Sequence, residues 1–176
     1  LRMRSEKVDD PASNEVKRLV SNMISTLNHA KGAGLAAPQV GVLKRVVIFR
    51  VPKERIKEER NPNIVDLTVL VNPKIKILTK KKEMGWEGCL SVPGLRGIVS
   101  RFYSVRYSGY TTDGKKIIRE AKGFHARVVQ HECDHLDGVL YPMRMKDMSS
   151  LSFTDQLDPD ASDLVQARLD TAGSIR

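Results

Sequence analysis

One segment constrains the fold of this chain more than any other, namely residues 123–137 with the sequence GFHARVVQHECDHLD. Its apolar residues and histidines recur at helical spacing, and Gly138 follows where a glycine commonly ends a helix. A helix turns by about 100° per residue, so His131 and His135 lie only about 40° apart on one face. The segment therefore predicts an α-helix that presents two imidazoles to one ion.

Glu132 completes a His-Glu-x-x-His pattern, in which the histidines bind a metal ion and the glutamate acts as a general base. Glu132 lies about 100° from His131 around the helix, beside the histidines but off their axis. Cys133 lies at about 200°, and we expect it to be a small buried apolar residue rather than a ligand. The pattern predicts a metal site on this helix.

A catalytic metal site needs a third protein ligand and an open fourth position. Tyr141 stands ten residues after His131, where one class of metalloproteases has a third histidine. Residues 136–176 contain no glutamate and no histidine, so the downstream glutamate of thermolysin-like enzymes is absent as well. Only an aspartate could serve as a downstream ligand.

Three upstream residues remain as candidates for the third ligand. His29 lies inside a predicted helix, and the ring of His125 points about 120° away from the metal-facing line. Cys89 lies in residues 86–94, WEGCLSVPG, where glycine and proline allow the backbone to approach an ion closely. Spacing favours Cys89 among the three but leaves a downstream aspartate open.

A second unusual segment, residues 32–41 with the sequence GAGLAAPQVG, is interpreted as a connection between a helix and a strand. It lacks the Gly-Lys-Ser/Thr of a phosphate-binding loop, and a strand rather than a helix follows it. The rigid Pro38 would allow Gln39 to present a carboxamide donor beside a reacting carbonyl group.

The length of 176 residues fits one domain, residues 1–176. Apolar spacing predicts a helix at residues 13–30. Strands are predicted at residues 45–51, 68–72 and 74–78, with a break at Pro73 between the last two. Residues 102–110 and 115–121 flank Asp113-Gly114 and predict a β-hairpin.

Two further segments are polar. The charged residues 52–66 predict a solvated loop. The tail, residues 149–176, receives no function and at most a marginal helix at residues 163–169.

Composition narrows the class of protein. The net charge of +9 favours an anionic partner such as nucleic acid. Two cysteines are too few for a disulfide-stabilised secreted scaffold and favour a reducing compartment. Without a run of about 18 apolar residues, a membrane-spanning helix is not expected.

Three segments, GAGLAAPQVG, EGCLS and QHECDHLDG, occur in this order, and together they resemble the signature motifs of the peptide deformylase family. The resemblance extends over about residues 16–146. It implies an α+β fold, in which antiparallel β-sheets pack around a central α-helix carrying the His-Glu-x-x-His pattern, with a second helix near the N-terminus. It also implies removal of the formyl group from N-terminal formylmethionine, with release of formate.

The resemblance further implies roles for individual residues. The metal ligands are Cys89, His131 and His135. Glu132 acts as the base, and Gln39 together with the Leu90 amide receives the oxyanion.

A pocket for the methionine side chain is expected beside the metal. Phe124 and Val128 lie on the metal-facing side of the helix, and the Gly34 backbone is a further candidate. Arg127 shares that face one turn before His131, at the rim of the pocket. Arg96 resembles an arginine that contacts the substrate backbone, although an ordinary surface cation remains the alternative.

The cofactor implied by the resemblance is one divalent ion, Fe²⁺ in the cell, with Zn²⁺, Ni²⁺ or Co²⁺ possible in purified protein. The implied partners are nascent formylmethionyl polypeptides and a transient ribosome contact, with no membrane and no sequence-specific nucleic acid. The implied location is the bacterial cytoplasm, or the matrix of a mitochondrion or plastid.

Two other classes share parts of this pattern. A zinc endopeptidase uses the same His-Glu-x-x-His pattern but needs the third ligand that is missing downstream. A basic nucleic-acid-binding module with a structural zinc would explain the charge but would not need Glu132.

Overall fold

The computed structural model describes residues 1–51 and 64–157. Their two α-helices are α1 (Asn14–Ala30) and α2 (Gly123–Leu136). Their eight strands are β1 (Gly34–Ala36), β2 (Val46–Val51), β3 (Val65–Ile77), β4 (Lys82–Cys89), β5 (Val92–Phe102), β6 (Ser104–Tyr110), β7 (Lys116–Lys122) and β8 (Ser152–Phe153). Short 3₁₀ helices follow β1 at Ala37–Val40 and α2 at Tyr141–Arg144.

The strands form two antiparallel sheets, with α2 packed between them. The larger sheet has the order β1-β2-β3-β6-β7, and the smaller one has the order β4-β5-β8. Helix α2 contacts strands of both sheets, including β2 of the larger and β5 of the smaller. The predicted α+β fold class with a central helix is confirmed.

Helix α1 forms where the apolar spacing predicts it. The Ser13 hydroxyl caps its first turn by accepting a hydrogen bond from the amide of Val16 at 3.3 Å. Its apolar stripe is buried against β1 and β2, and the helix ends at Lys31 in a left-handed conformation. The helix thereby fixes the start of the segment that leads to Gln39.

Helix α2 is surrounded by the core rather than lying on the surface. Its residues Ala126, Val129 and Leu136 are fully buried in the cluster that contains Phe49 and Tyr107. The Gln130 carboxamide both donates to and accepts from the main chain of Phe102, at 2.9 and 3.1 Å. These contacts hold the helix in a fixed position relative to the end of β5.

The structure differs from the sequence prediction at Pro73. One strand, β3, runs through this position with an irregular register between Val71 and Lys74, where two strands were expected. Asn72 has a φ of 53°, and its side chain donates to the carbonyl of Val8 at 2.7 Å. The proline is accommodated by this bulge, so it bends the strand instead of ending it.

The hairpin of β4 and β5 was not predicted. It pairs Lys82 with Phe102 at one end and Cys89 with Val92 at the other. Its glycines and proline obscure the alternating pattern by which strands are recognised.

Two expected segments fall largely outside the described residues. Of the expected loop at residues 52–66, residues 52–63 lie outside them, while Val65 and Asp66 belong to β3. The marginal helix at residues 163–169 also lies outside them. Neither described helix is long and apolar enough to cross a membrane.

Candidate metal centre and substrate pocket

Cys89, His131 and His135 come together in space and are called the donor trio below. One potential ligand atom from each lies within 4.8 Å of the others. The Sγ atom of Cys89 is 3.3 Å from Nε2 of His135. The ring centroids of His131 and His135 are 5.0 Å apart. One cysteine sulfur and two imidazoles fit a transition-metal ion such as Zn²⁺ or Fe²⁺, and Cys89 and His131 also line a cavity.

The local structure explains how distant parts of the chain meet at the donor trio. Cys89 ends β4, and Leu90 and Ser91 form the tight turn into β5. The amide of Ser91 lies 3.4 Å from Sγ of Cys89 and donates to it. The histidines lie one turn apart on α2, as the sequence predicts.

Glu87 orients one of the histidines. Its Oε2 atom accepts a hydrogen bond from Nδ1 of His131 at 2.9 Å. Burial alone would raise the pKa of Glu87, but hydrogen bonds from Arg101 and His131 hold it well below its usual range. An ionised carboxylate only accepts hydrogen bonds, so the proton stays on Nδ1 and Nε2 of His131 is free to bind an ion.

The two histidines differ in proton affinity when no ion is bound. Burial and the charge of His131 lower the pKa of His135 to about 3. Burial opposes a charge on His131 too, but hydrogen bonds with Cys89 and Glu87 raise its pKa to about 10. An ion bound by the donor trio would displace this proton, because a ligand imidazole is neutral.

Glu132 lies beside the donor trio in a nearly closed environment. Its side chain is buried, and Oε2 has no hydrogen-bond partner among the described residues. Burial raises the pKa of Glu132 to about 7, although the charge of His131 opposes the rise. A carboxylate with a pKa near neutrality can both accept and return a proton.

Gly34 borders Glu132. A Cβ atom at residue 34 would overlap the Glu132 carboxylate, with Cγ of Glu132 only 2.7 Å away. Gly34 is held in β1 opposite Phe49 of β2, so the backbone cannot withdraw easily. The segment GAGLAAPQVG thus places the main chain of Gly34 directly against the carboxylate of Glu132.

Gln39 is fixed by hydrogen bonds at both ends of its carboxamide. Its Oε1 atom accepts from the amide of Ala36 at 2.8 Å, and its Nε2 atom donates to Oγ of Ser91 at 3.1 Å. Nε2 also lies 3.5 Å from Sγ of Cys89. The donor end of Gln39 therefore faces the donor trio.

A cavity of about 470 Å³ opens beside the donor trio. The expected substrate-binding residues all line it, namely Gly34, Arg96, Phe124, Arg127 and Val128. Leu90 lines it too, and the residue is 44% exposed. Arg127 nevertheless differs from the expectation of a rim residue, because its side chain is buried and hydrogen-bonded to Glu87 and to strand carbonyls.

The other candidates considered from sequence lie elsewhere. His125 is packed against Phe49 and Tyr107, with ring centroids 5.9 and 5.5 Å away. Cys133, also on α2, points into the hydrophobic core and is buried there. Neither residue belongs to the donor trio.

Sequence reasoning missed the residues that support the donor trio. Glu87 is the first residue of the motif EGCLS, and a carboxylate commonly orients a ligand histidine, which is the signal that could have found it. Arg101 and the ring of Tyr141, which stacks on His131 at 6.3 Å, carry no comparable local signal. Trp86, Leu95 and Thr154 also line the pocket and were not predicted.

Comparison with known proteins yields a consistent set of relatives. The family model described as polypeptide deformylase matches residues 1–150. The chain is 53% identical over 148 residues to "Peptide deformylase 2" of Ralstonia nicotianae, covering 83% of this chain and 81% of that protein. It is 51% identical over 155 residues to "Peptide deformylase 1" of Bordetella pertussis, covering 88% and 85%.

Comparison with solved structures points to the same family as these relatives. The Met-Ala-Ser-bound crystal structure of class I type b peptide deformylase from Acinetobacter baumannii superposes with a TM-score of 0.73 at 36% identity. The match covers 82% of this chain and 92% of that one. Since the family model, the sequence relatives and the fold agree, the chain belongs to the polypeptide deformylase family.

Proposed function

We infer that the protein hydrolyses the formyl group from the N-terminal formylmethionine of nascent polypeptides and releases formate. The observation that carries this inference is the donor trio with the buried Glu132 carboxylate beside it, at the edge of an open pocket, in a chain of the deformylase family.

The donor trio is the proposed binding site of one divalent ion, through Sγ of Cys89 and one imidazole nitrogen each of His131 and His135. When bound, such an ion supplies a Lewis acid that polarises the formyl carbonyl and lowers the pKa of water. Fe²⁺ is the proposed ion in the cell. Zn²⁺, Ni²⁺ and Co²⁺ are proposed as ions that purified protein can carry, because mixed nitrogen and sulfur ligands accept all of them. Metal analysis of protein purified without oxygen tests which ion the donor trio binds.

Glu132 is the proposed acid–base residue. Its carboxylate would accept a proton from the attacking water and return it to the departing amine, which leaves formate and a free N-terminus. Its burial and its Oε2 atom support this role, because that oxygen accepts no hydrogen bond from the part of the chain that the structure describes.

Gln39 and the main-chain amide of Leu90 are the proposed donors to the oxygen on which negative charge develops. The carboxamide of Gln39 is already oriented by Ala36 and Ser91, with Nε2 directed toward the donor trio. Preorganised donors of this kind are worth several kcal/mol, about 3 for a single donor.

The cavity is the proposed site of the methionine side chain. Phe124 and Val128 supply an apolar surface beside the donor trio, and Gly34, which packs against Glu132, lines the same cavity. Arg96 lies on β5 opposite Gly88 and would contact the peptide backbone. The Acinetobacter baumannii relative, which has Met-Ala-Ser bound, supports a pocket for a peptide that begins with methionine.

Two further proposals concern a ribosome contact and the cellular location of the protein. The net charge of +9 supports a transient, salt-dependent contact with the ribosome, where nascent chains emerge. The bacterial relatives support the bacterial cytoplasm as the location, which is where formylated nascent chains are made in bacteria.

The decisive experiment measures formate release from formyl-Met-Ala-Ser by the metal-loaded protein, with Glu132→Gln as the matched control. The proposal expects formate from the wild type and little from the variant. Cleavage of an internal peptide bond without formate would favour an endopeptidase. Retention of RNA without either product would favour a nucleic-acid-binding module.

A further inference from the structure

The carboxylate of Glu87 is held from two sides by two arginines. Arg101 donates through Nε to Oε1 and through Nη2 to Oε2, both at 2.9 Å. Arg127 donates through Nη1 to Oε1 at 2.9 Å, and His131 donates to Oε2 at the same distance. Each carboxylate oxygen thus receives two hydrogen bonds, and the orientation of the group is fully determined.

Arg127 connects three elements around this carboxylate. From α2, its Nη1 atom also donates to the carbonyl of Val99 in β5 at 2.8 Å, and its Nη2 atom donates to the carbonyl of Glu83 in β4 at 2.8 Å. The side chain is buried, with the whole residue only 6% exposed. Arg127 thereby ties the strand that ends at Cys89 to the helix that carries His131.

Strand β4 runs directly over the guanidinium group of Arg127. A Cβ atom at residue 85 would lie 2.7 Å from Cζ of Arg127, so any side chain here would displace the guanidinium group. Nη1 lies 3.2 Å from the carbonyl of Gly85 and donates to it as well. With its hydrogen bonds directed at the protein, the guanidinium group is built into the wall of the cavity.

We propose that Arg127 is a positioning residue for the donor trio, acting through Glu87, and not a residue that contacts the substrate backbone. It holds Oε1 of Glu87 while Arg101 holds both oxygens, so that Oε2 stays in line with Nδ1 of His131. The proposal rests on the donor trio being a metal site, as inferred above.

Arg127→Met tests this proposal because methionine keeps an unbranched apolar stem and removes the hydrogen-bonding group. Co²⁺ serves as the probe, since its visible absorption reports the geometry of thiolate and imidazole ligands. We expect Arg127→Met to bind Co²⁺ about tenfold or more weakly in competition with a chelator and to show altered cobalt absorption bands. Arg127→Lys, which restores a charge and one donor, should recover part of the affinity.

The matched control is Arg106→Met, which removes an exposed arginine paired with Glu120 on the neighbouring strand. This variant should bind Co²⁺ as the wild type does. Glu87→Gln supplies the second arm, because an effect of Arg127 through Glu87 makes the double variant no weaker in Co²⁺ binding than Glu87→Gln alone. Multiplicative losses in the double variant would overturn the proposal.

Kinetics with formyl-Met-Ala-Ser separate positioning from substrate contact. A positioning role lowers kcat at a fixed ion occupancy and changes KM by less than about threefold. A raised KM with unchanged cobalt affinity and spectrum would overturn the proposal. The cobalt measurements need no turnover, so they remain decisive for Arg127 even if the wild type releases no formate and the proposed function fails.

Discussion

Gly34 lies against the carboxylate of Glu132 so closely that a methyl group at residue 34 would overlap it. The contact joins β1 to α2 at the point where the proposed proton transfer takes place. Gly34→Ala should therefore displace Glu132 while leaving the donor trio in place. We expect kcat for a formyl-Met peptide to fall by about tenfold to a hundredfold, because small misplacements of a catalytic group cost this much. An unchanged kcat would show that the carboxylate has room to move.

The two cysteines provide a matched pair of variants. Cys89→Ala removes the thiolate of the donor trio and should release the ion, which elemental analysis of the purified variant measures. Cys133→Ala removes a thiol that α2 buries in the hydrophobic core. This variant should retain one equivalent of metal, with a loss of stability of about 1 kcal/mol. Metal retained by Cys89→Ala would refute the ligand assignment.

Glu132→Gln separates proton transfer from metal binding. The amide is nearly isosteric with the carboxylate but cannot accept a proton at neutral pH. We expect metal content to stay at one equivalent while formate release falls by about a hundredfold or more. A variant that keeps most of its turnover, or one that loses its metal, would contradict the proposed role.

The sequence predicted the parts of this site that depend on local geometry. The helical positions of His131 and His135 follow from a spacing of four residues, and the burial of Cys133 follows from the same helix. The place of Cys89 was left open by spacing, because its approach to the helix depends on the unpredicted hairpin of β4 and β5.

The hydrogen bonds around Glu87 show more clearly what could not be predicted from the sequence. Arg101, Glu87 and Arg127 lie on three different elements, and their contacts arise only when the hairpin of β4 and β5 packs against α2. From the sequence, Arg127 is simply a residue on the metal-facing side of a helix. Its engagement with Glu87 depends on Gly85, whose missing side chain leaves space for the guanidinium group.

Acyl selectivity is expected from the crowding around Glu132. Gly34 packs against the carboxylate, and Gln39 is held rigidly beside the donor trio, so the site suits a formyl hydrogen better than an acetyl methyl group. Formyl-Met-Ala-Ser should be hydrolysed with a kcat/KM at least about a hundredfold above that of acetyl-Met-Ala-Ser. Comparable values for the two peptides would refute the steric explanation.

Acid sensitivity of the fold should depend on His125. This side chain is packed against Phe49 and Tyr107, and burial, with a smaller effect from the charge of Arg119, lowers its pKa to about 4. The unfolded chain, in which a histidine has a pKa of about 6.5, binds the proton more readily than the folded one. The free energy of unfolding should therefore be unaffected by His125 above pH 6.5 and should fall as the pH drops from 6.5 to 4, by up to about 3 kcal/mol.

His125→Phe tests this expectation because phenylalanine keeps an aromatic ring among Phe49 and Tyr107 but cannot bind a proton. Urea unfolding at pH 7 and pH 4.5 should show a smaller loss of stability for this variant than for the wild type. His29→Gln, which replaces an exposed histidine of α1, is the matched control and should lose as much stability on acidification as the wild type. If His125→Phe and the wild type lose equal stability between these pH values, another buried group causes the acid sensitivity.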